Sequence, residues 1–445
     1  MNPNPWRTAI SAILLFSLLA GRITAQTSAP AAMPKRYSIL EFGAVADRTT
    51  LNTASIQKAI DTAVATGGGV VVIPRGTFAS GSLFLKAGVA LWLDEGAVLF
   101  GSGNIEDYPK RETRIEGHFE PWRMALVNAQ GLDRVRIGGP GRLDGNGVPF
   151  WQAFWQRRKE NPKCTNLEVE RPRLLFIDRC RDVRIEGLAL QDSGFWNLHL
   201  YRCRDVLIEN LRITLPSATK LNLHGPSTDG IDIDSSQNVT IRHCYISVND
   251  DDIALKGSKG PRADQDADSP PVENILIEDC EIGDGGGLIT CGSEATIVRN
   301  VTARRCTMSG RATVLTLKLR PDTPQHYENI TLDGIKLAGG GRLINVAPWT
   351  QFFDLQGLPA PTRQVNNVTI RNVTGQYGSF GTVRGNPGDV LRDITLENID
   401  VKLDKDRLQV GAPDALTLKN VIVNGQAYVL PPPEAPKPAT PKAQP

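Results

Sequence analysis

The sequence predicts an all-β, single-domain right-handed parallel β-helix with a short capping helix near its N-terminus. Repeated segments share one pattern: an Asn or Asp, then apolar residues alternating with polar ones, then a polar bend. Alternation with a period of two turns one side of each strand inward. The uneven spacing of the segments is typical of a solenoid with insertions on one side. The segments begin at Asp182, Asp205, Asn238, Asn274, Asn329, Asn367 and Asp393.

The capping helix is predicted just before the coils. Asn52 and Thr53 resemble a helix N-cap, and the glycines at 67–69 end the helix. Such a helix covers the open end of a solenoid and protects its edge strands. Its apolar stripe at helical spacing consists of Ile56, Ala59, Ile60, Ala63 and Val64.

We expect the folded domain to span residues 36–425. Arg7 precedes an apolar run at 9–20 that is too short to cross a bilayer, and Ala25 offers a cleavage point. Residues 1–25 are therefore predicted to be a signal peptide of a secreted or periplasmic protein, with no membrane attachment after cleavage. The Pro-rich residues 430–445 are predicted to be a disordered tail.

Composition excludes some classes of partner. The 445 residues carry a formal charge of +2 with both signs interspersed, which gives no support for nucleic-acid binding. Cysteines recur at equivalent places in successive coils, which indicates stacked buried thiols more than a disulfide framework. The recurring cysteines are Cys180 with Cys203, and Cys244 with Cys280 and Cys306.

We expect the protein to be a monomer.

Two acidic clusters run directly into alternating apolar strands, at residues 227–232 (STDGID) and 249–256 (NDDDIALK). Asp229 and Asp251 are 22 residues apart, about one coil. Neighbouring strands lie about 4.8 Å apart, so the carboxylates of stacked strands must crowd together. Crowding pushes their pKa values apart into an acid and a base, the two roles that glycoside hydrolysis requires. For any single one of these aspartates, the alternative is a structural role, in which the side chain caps a turn or lies at a solvated corner.

The next coils extend this column of side chains. Glycines at 285–287 leave room for a sugar ring to approach the backbone. Lys318 and Arg320 follow on the next strand and could grip a sugar carboxylate. Strand alternation turns Asp252 away from Asp251, which indicates a structural role for Asp252.

The chain resembles the polygalacturonases of glycoside hydrolase family 28. Residues 227–232 are similar to that family's NTDGID motif, and residues 250–256 are similar to its DDCIAIK motif. The resemblance covers roughly residues 36–423 and includes shorter matches at 42–45 (FGAV), 93–97 (LDEGA) and 143–147 (LDGNG). It implies an inverting hydrolase without a cofactor or metal, in which Asp250 is the general acid. Asp229 and Asp251 would then hold and deprotonate the attacking water.

Two positions depart from the family pattern. The Gly-His-Gly slot of the family holds glycines at 285–287 here, and its Arg-Ile-Lys aligns with Thr316-Leu317-Lys318. We expect Arg320 to replace the missing arginine, and His224 or His326 to supply an imidazole near the site. Together with Lys318 and Lys256, which closes the second acidic motif, these are the predicted substrate-binding residues.

The favoured function is cleavage of α-linked galacturonic acid bonds in pectin, with polygalacturonan or rhamnogalacturonan as the polymer. One alternative is a pectate lyase, in which the aspartates bind calcium and an Arg or Lys removes a proton. The other is a glycan-binding β-helix with impaired catalysis, which the absent histidine favours.

Overall fold

The computed structural model describes residues 34–351 and 353–430. The predicted signal peptide, and the predicted tail beyond Leu430, lie outside these residues. The described chain winds as a right-handed parallel β-helix, as predicted. Each strand pairs in parallel with the strand one coil later, so the coils form three stacks of strands.

Most strands belong to a single stack, and a typical coil contributes one strand to each stack. The first stack holds Leu83–Phe84, Val127–Gln130, Leu175–Asp178, Leu198–Tyr201, Ile231–Asp234, Ile253–Lys256, Gly287–Cys291, Thr313–Leu319 and Arg342–Pro348. The second stack holds Arg36–Ser38, Gly69–Ile73, Val89–Leu93, Asp133–Gly138, Arg181–Glu186, Arg204–Glu209, Gln237–Arg242, Val272–Glu278 and Ile297–Arg304. The third stack holds Asp47–Leu51, Gly76–Ser80, Ala97–Gly101, Arg142–Asp144, Ala189–Gln191, Arg212–Thr214, Tyr245–Ser247, Glu281–Ile282 and Thr307–Met308.

Towards the C-terminus the strands are long and run around corners from one stack to the next. These are His326–Ala338, Gln364–Val383, Val390–Val410 and Leu416–Val423, and Gln426–Ala427 pairs antiparallel with the last of them. The helices are Thr53–Ala65, Val148–Glu160 and Pro216–Leu221, with short 3-10 turns at Ile39–Phe42, Ile105–Asp107, Asn166–Glu168, Ala263–Gln265 and Pro413–Ala415.

The interior is a column of apolar side chains, as the period of two requires. Ile185 lies in register with Ile208, which lies in register with Ile241, and all three are fully buried. Each fully buried aliphatic side chain contributes about 1.5–3 kcal/mol relative to exposure. The outward positions of the same strands carry ion pairs instead, such as Arg184 with Glu209 at 2.5 Å.

The repeated asparagines form a ladder at one corner of the coil. Asn274, Asn300 and Asn329 all have left-handed backbone conformations, with φ between 55° and 60°. Each side-chain amide donates to the carbonyl oxygen of the Asn one coil earlier, as Asn300 does to Asn274 at 3.2 Å. Asn is preferred here because it tolerates the left-handed region and offers both a donor and an acceptor.

The capping helix Thr53–Ala65 is present and buries Ile56, Ala59, Ile60 and Ala63. Two details of the prediction are wrong. The Asn52 side chain does not cap the helix but bonds the backbone of Val45 and Thr50. Val64 is 38% exposed because its position falls at the edge of the stripe.

The predicted stack of buried thiols is confirmed, since all seven cysteines are free and buried. The helices among residues 34–351 and 353–430 are all too short or too polar to cross a membrane.

Two insertions between coils lie over the first stack. One is an antiparallel hairpin of Lys110–Ile115 and His118–Arg123, and the other is the helix Val148–Glu160. Buried Arg114 holds the hairpin to the coils through Asp234 at 3.1 Å and Ser258 at 3.0 Å. The hairpin turn thereby brings Glu116 over the first stack.

The asparagine ladder gives a prediction about stability. Replacing Asn300 with Ala removes two ladder hydrogen bonds, from Asn300 to Asn274 and from Asn329 to Asn300, and leaves a Cβ residue in the left-handed region. We expect the free energy of unfolding to fall by about 1–3 kcal/mol. Asn300→Gly should lose less, because glycine adopts this conformation without strain.

Thermal unfolding followed by circular dichroism orders the variants. Asn366→Ala is the control, because within the described chain that side chain makes no ladder hydrogen bond. Equal midpoints for Asn300→Ala and Asn366→Ala would contradict a stabilising ladder.

Candidate active site

The sheet register brings the two acidic motifs together. Strand Ile231–Asp234 pairs residue for residue with Ile253–Lys256, so Asp229 lies beside Asp251 on the adjacent coil. The Gly230 N–H donates to the Asp251 carbonyl oxygen at 2.9 Å and fixes this alignment just before the strands begin. One carboxylate oxygen from each of Asp229, Asp250 and Asp251 lies within 4.8 Å of the other two.

Two lysines interleave with these carboxylates. Lys256 Nζ lies 3.1 Å from Asp229, 3.4 Å from Asp232 and 3.7 Å from Glu294. Lys318 Nζ lies 2.6 Å from Asp251 Oδ2. Both lysines are largely buried, so each ammonium is stabilised by the surrounding carboxylates rather than by water.

The three aspartates differ in their contacts. Asp251 accepts from Thr290 Oγ1 at 3.1 Å in addition to the Lys318 contact. Burial raises the pKa of Asp229, and the Lys256 ammonium opposes that rise. Burial first, and then the charges of Asp229 and Asp251, raise the pKa of Asp250 to about 8.

Asp252 belongs to the interior, in line with strand alternation. It is fully buried, and burial raises its pKa well above the ordinary value. Its carboxyl group lies against Gly285, where a Cβ would overlap it. Asp252 therefore contributes to the packing beneath the acidic residues.

The presence of glycines at 285–287, where the family pattern has Gly-His-Gly, has a direct geometric reason. A Cβ on Gly286 would overlap Oδ1 of Asp251. With Asp251 in this orientation, the space that a histidine side chain would enter is already taken by the carboxylate. The Gly286 N–H donates to the Asp250 carbonyl oxygen at 2.8 Å, so the glycine backbone also supports the acidic turn.

Three of the predicted substrate-binding residues do not line this site. The Arg320 guanidinium is buried against Asp322, with nitrogen–oxygen distances of 2.9 and 2.8 Å, because strand Thr313–Leu319 ends before it. His224 packs edge-on against Trp155. His326 begins a strand of the second stack and contacts Glu328 at 3.3 Å. The first-stack lysines Lys256 and Lys318 do line the site.

The aspartates and both lysines face a cleft of about 410 Å³. Lys256 Nζ lies 4.6 Å from the centroid of the Trp196 ring, and Lys318 Nζ lies 4.8 Å from that of Trp349. Trp349 is partly exposed, and its ring beside polar groups suits the apolar face of a sugar, whereas Trp196 is buried. The other lining residues are Glu116, Arg158, Asn166, Ser227, Ser293, Glu294 and Gln351.

Most of these further lining residues were missed by the sequence analysis. Glu116, Arg158 and Asn166 belong to insertions, and Gln351 and Trp349 follow the last first-stack strand. None recurs with the coil, so the repeat gives no signal for them. A register argument could have found Glu294, because it follows Gly292, which lies between Lys256 and Lys318.

The oxygen cluster of Asp229, Asp250 and Asp251 could in principle hold a cation. A calcium site needs about six to eight oxygen ligands. Here the Asp229 and Asp251 carboxylates are each held by a lysine ammonium, at 3.1 and 2.6 Å. This donor set suits proton transfer better than calcium binding.

Comparison with known proteins agrees with the fold and the motifs. The family profile described as Glycosyl hydrolases family 28 matches residues 72–418. An endo-polygalacturonase of Pectobacterium carotovorum subsp. carotovorum is 26% identical over 409 residues, which cover 89% of this chain and 94% of the relative.

Solved structures show the same fold. A hyperthermoactive exopolygalacturonase from Thermotoga maritima has a TM-score of 0.74 at 24% identity, with 89% of this chain and 94% of that one covered. A polygalacturonase from Erwinia carotovora ssp. carotovora has a TM-score of 0.64 at 20% identity, with 90% and 99% covered. With the family profile matching most of its length, this chain belongs to glycosyl hydrolase family 28 and is a glycosidase.

Proposed function

We propose that this protein is an exported inverting hydrolase that cleaves α-linked galacturonic acid bonds in pectin, in polygalacturonan or rhamnogalacturonan. The observation that carries the proposal is the set of three crowded carboxylates, Asp229, Asp250 and Asp251, in a cleft with Lys256 and Lys318. The relatives described above include an endo-polygalacturonase and an exopolygalacturonase, which favours galacturonan as the substrate.

Asp250 is the general acid in this proposal. It must carry a proton to give to the leaving glycosidic oxygen, and a pKa raised to about 8 keeps it protonated in neutral solution. Burial and the adjacent Asp229 and Asp251 supply that shift. No imidazole is needed for it, which is consistent with glycine at position 286.

Asp229 and Asp251 hold and deprotonate the attacking water. Each is paired with a lysine, at 3.1 Å and 2.6 Å, and these contacts fix the orientation of its carboxylate. The oxygens of the three aspartates approach within 4.8 Å, which is closer than the roughly 6.5–9.5 Å that many inverting sites show between carboxyl groups. The two lysine contacts, and not the spacing of the carboxylates, favour binding of the attacking water by Asp229 and Asp251 over covalent attack on the sugar.

Arg158 replaces the arginine that the family carries at the position of Thr316. It lines the cleft from helix Val148–Glu160, and its buried Nε has no hydrogen-bond partner among the described residues. A guanidinium can bind a uronate carboxylate through two parallel hydrogen bonds. We therefore assign Arg158 to the substrate carboxylate and Lys318 to the Asp251 side of the reaction.

The remaining parts of the proposal rest on the sequence. Residues 1–25 are proposed to be a cleaved export signal, residues 36–425 the catalytic domain, and residues 430–445 a disordered tail. The exported enzyme is proposed to act as a monomer in the periplasm or outside the cell.

Asp250→Asn should strongly slow turnover of polygalacturonan. An amide cannot donate the proton to the leaving oxygen, so we expect kcat to fall by about 10²–10⁴-fold, measured as new reducing ends. Asp252→Asn is the neighbouring control, because the buried Asp252 faces away from the cleft, and its activity should be retained.

The products decide between mechanisms. Proton NMR of the first turnover should show the β-anomer from an α-linkage, and an α-anomer formed first would contradict inversion. An unsaturated, ultraviolet-absorbing product that disappears on chelation would instead identify a lyase. Binding of oligogalacturonide without any cleavage would identify an impaired glycan-binding protein.

The raised pKa of Asp250 predicts a pH dependence of stability. Its pKa is about 3.9 in an unfolded chain and about 8 in the fold, so folding opposes its ionisation. The free energy of unfolding should therefore fall as the pH rises through this window, since the unfolded state loses its proton first. Asp250→Asn removes that loss, and we expect a gain of about 1 kcal/mol or more near pH 8 and a much smaller one near pH 4.

Thermal midpoints of wild type and variant across this pH range measure the effect. The exposed Asp264→Asn makes the same chemical substitution outside the buried cluster and should show no such trend. A gain for Asp250→Asn that is larger at pH 4 than at pH 8 would contradict the assignment.

Arg158→Ala should weaken recognition of the substrate charge. We expect KM for polygalacturonan to rise about tenfold, the loss of about 1.4 kcal/mol expected for one charge-assisted contact. The change should be small on a fully methyl-esterified polymer, which lacks the carboxylate. Arg157→Ala is the matched control from the same helix, because Arg157 pairs with Glu168 at 2.9 Å outside the cleft. Equal effects of the two variants would contradict the role of Arg158.

A further inference from the structure

A second concave surface of about 850 Å³ lies apart from the aspartate cleft. We name it the arginine groove and define it by Arg134, Arg179, Arg181, Arg202 and Arg204. The groove lies where the first stack turns into the second stack. The segment at 267–270 forms one wall.

The register of the coils stacks like charges in this groove. Arg181 is paired with Arg204 on the adjacent coil, so their backbones lie about 4.8 Å apart. Arg179 and Arg202 precede them by two residues, both with left-handed backbone conformations at φ 51° and 50°. Two arginine pairs are thereby superposed along the solenoid axis.

Carboxylates neutralise only part of this charge. Arg179 pairs with Asp178 at 2.9 Å, and Arg202 pairs with Asp268 at 2.5 Å. Within residues 34–351 and 353–430, Arg134, Arg181 and Arg204 have no carboxylate at ion-pair distance.

The acidic residues of the groove do not change this balance. Asp182 is engaged by Arg136 at 2.9 Å, and Asp133 precedes Arg181 in the same column without an ion pair in the described chain. Among the described residues, three guanidinium groups and one carboxylate of the groove are therefore without an ion pair.

Several surface arginines elsewhere in the described chain are paired with carboxylates across coils. Arg299 contacts Glu273 at 2.7 Å, and Arg305 contacts Asp279 at 2.7 Å. Cross-strand pairs of opposite charge stabilise a sheet, whereas like charges opposite each other destabilise it. Arg181 and Arg204 are superposed without such a carboxylate partner among the described residues, and an anionic ligand would relieve their repulsion.

The groove and the aspartate cleft lie at opposite ends of the same strands. Asp229 comes just before strand Ile231–Asp234, and Ser235, which lines the groove, comes just after it. Six residues of extended chain separate them, about 20 Å. The segment that carries Asp268 lies beside the groove, and the Asp268 carbonyl oxygen accepts a hydrogen bond from the Tyr201 hydroxyl at 2.7 Å.

We propose that the arginine groove is a second binding site for a polyuronate chain, separate from the site of cleavage. Guanidinium forks match carboxylates in a bidentate geometry, and arginines repeated along the axis match a polymer that carries repeated carboxylates. The choice of polyuronate over other polyanions rests on the proposed function, because it is the substrate class of the same protein. Binding there holds the polymer near the cleft and raises its effective concentration.

The test measures binding without cleavage, in an Asp250→Asn background. Arg181→Ala/Arg204→Ala should weaken binding of long polygalacturonate about tenfold at low salt, in affinity electrophoresis or calorimetry. The difference should vanish near 1 M salt, where the screening length is about 3 Å. The control is Arg384→Ala/Arg392→Ala, which removes the same charge from two exposed arginines that have no ion pair among the described residues.

A second measurement uses the active enzyme with trigalacturonate, which is too short to reach from the cleft to the groove. Here kcat and KM of Arg181→Ala/Arg204→Ala should equal those of wild type, while KM on the polymer rises. Equal polymer binding by the two double variants overturns the proposal, and so does loss of trigalacturonate turnover in the groove variant alone. Equal affinity of the groove for dextran sulfate or DNA overturns the specificity for polyuronate.

These outcomes separate the groove from the proposed function. An enzyme that cleaves no galacturonate still reports on the groove through the binding measurement. An enzyme that cleaves both substrates normally with the groove arginines removed leaves the proposed function intact and rejects the groove.

Discussion

The parallel register between successive coils is the constraint on which the rest of this structure depends. A spacing of about 4.8 Å leaves each side chain directly above its counterpart, so every coil position must suit its own neighbours. Inside, Ile185, Ile208 and Ile241 form an apolar column. At the corner, the Asn300 side-chain amide donates to the side-chain oxygen of Asn274. Before the first-stack strands, the same register forces Asp229 against Asp251.

The pairing of charged side chains differs between most of the surface and the two proposed sites. In one outward column of the second stack, opposite charges alternate from coil to coil, as Glu209, Arg242, Glu278 and Arg304 do. At the cleft, carboxylates are crowded and two lysines stabilise them only in part, so Asp250 retains its proton. At the arginine groove the sign is reversed. An anionic polymer could relieve the repulsion among the groove arginines, which links the proposed second binding site to the polyuronate substrate of the proposed catalytic site.

The sequence predicted the features that repeat and missed those that do not. Period-two alternation was enough for the solenoid, the recurrence of cysteines for the buried thiols, and an apolar stripe at helical spacing for the helix at the end of the solenoid. The motif residues Asp229, Asp250 and Asp251 lie together with Lys256 and Lys318 because all belong to one stack, with Asp229 one coil before Asp251 and Lys318 two coils after it. Arg320 was placed in the site by extending strand alternation one residue beyond the strand, where Asp322 turns the guanidinium away. His224 and His326 were chosen by residue type alone, without a register to support them.

The amino-acid sequence by itself determined the parallel β-helix and the acidic column, because short-range alternation and coil length specify which residues face inward and which stack. Only the tertiary structure decided the walls of the cleft and the second charged surface. Arg158 and Glu116 reach the cleft from insertions whose path depends on buried contacts such as Arg114 with Asp234. The arginines of the groove are unremarkable in sequence and become a site only when winding superposes Arg181 on Arg204.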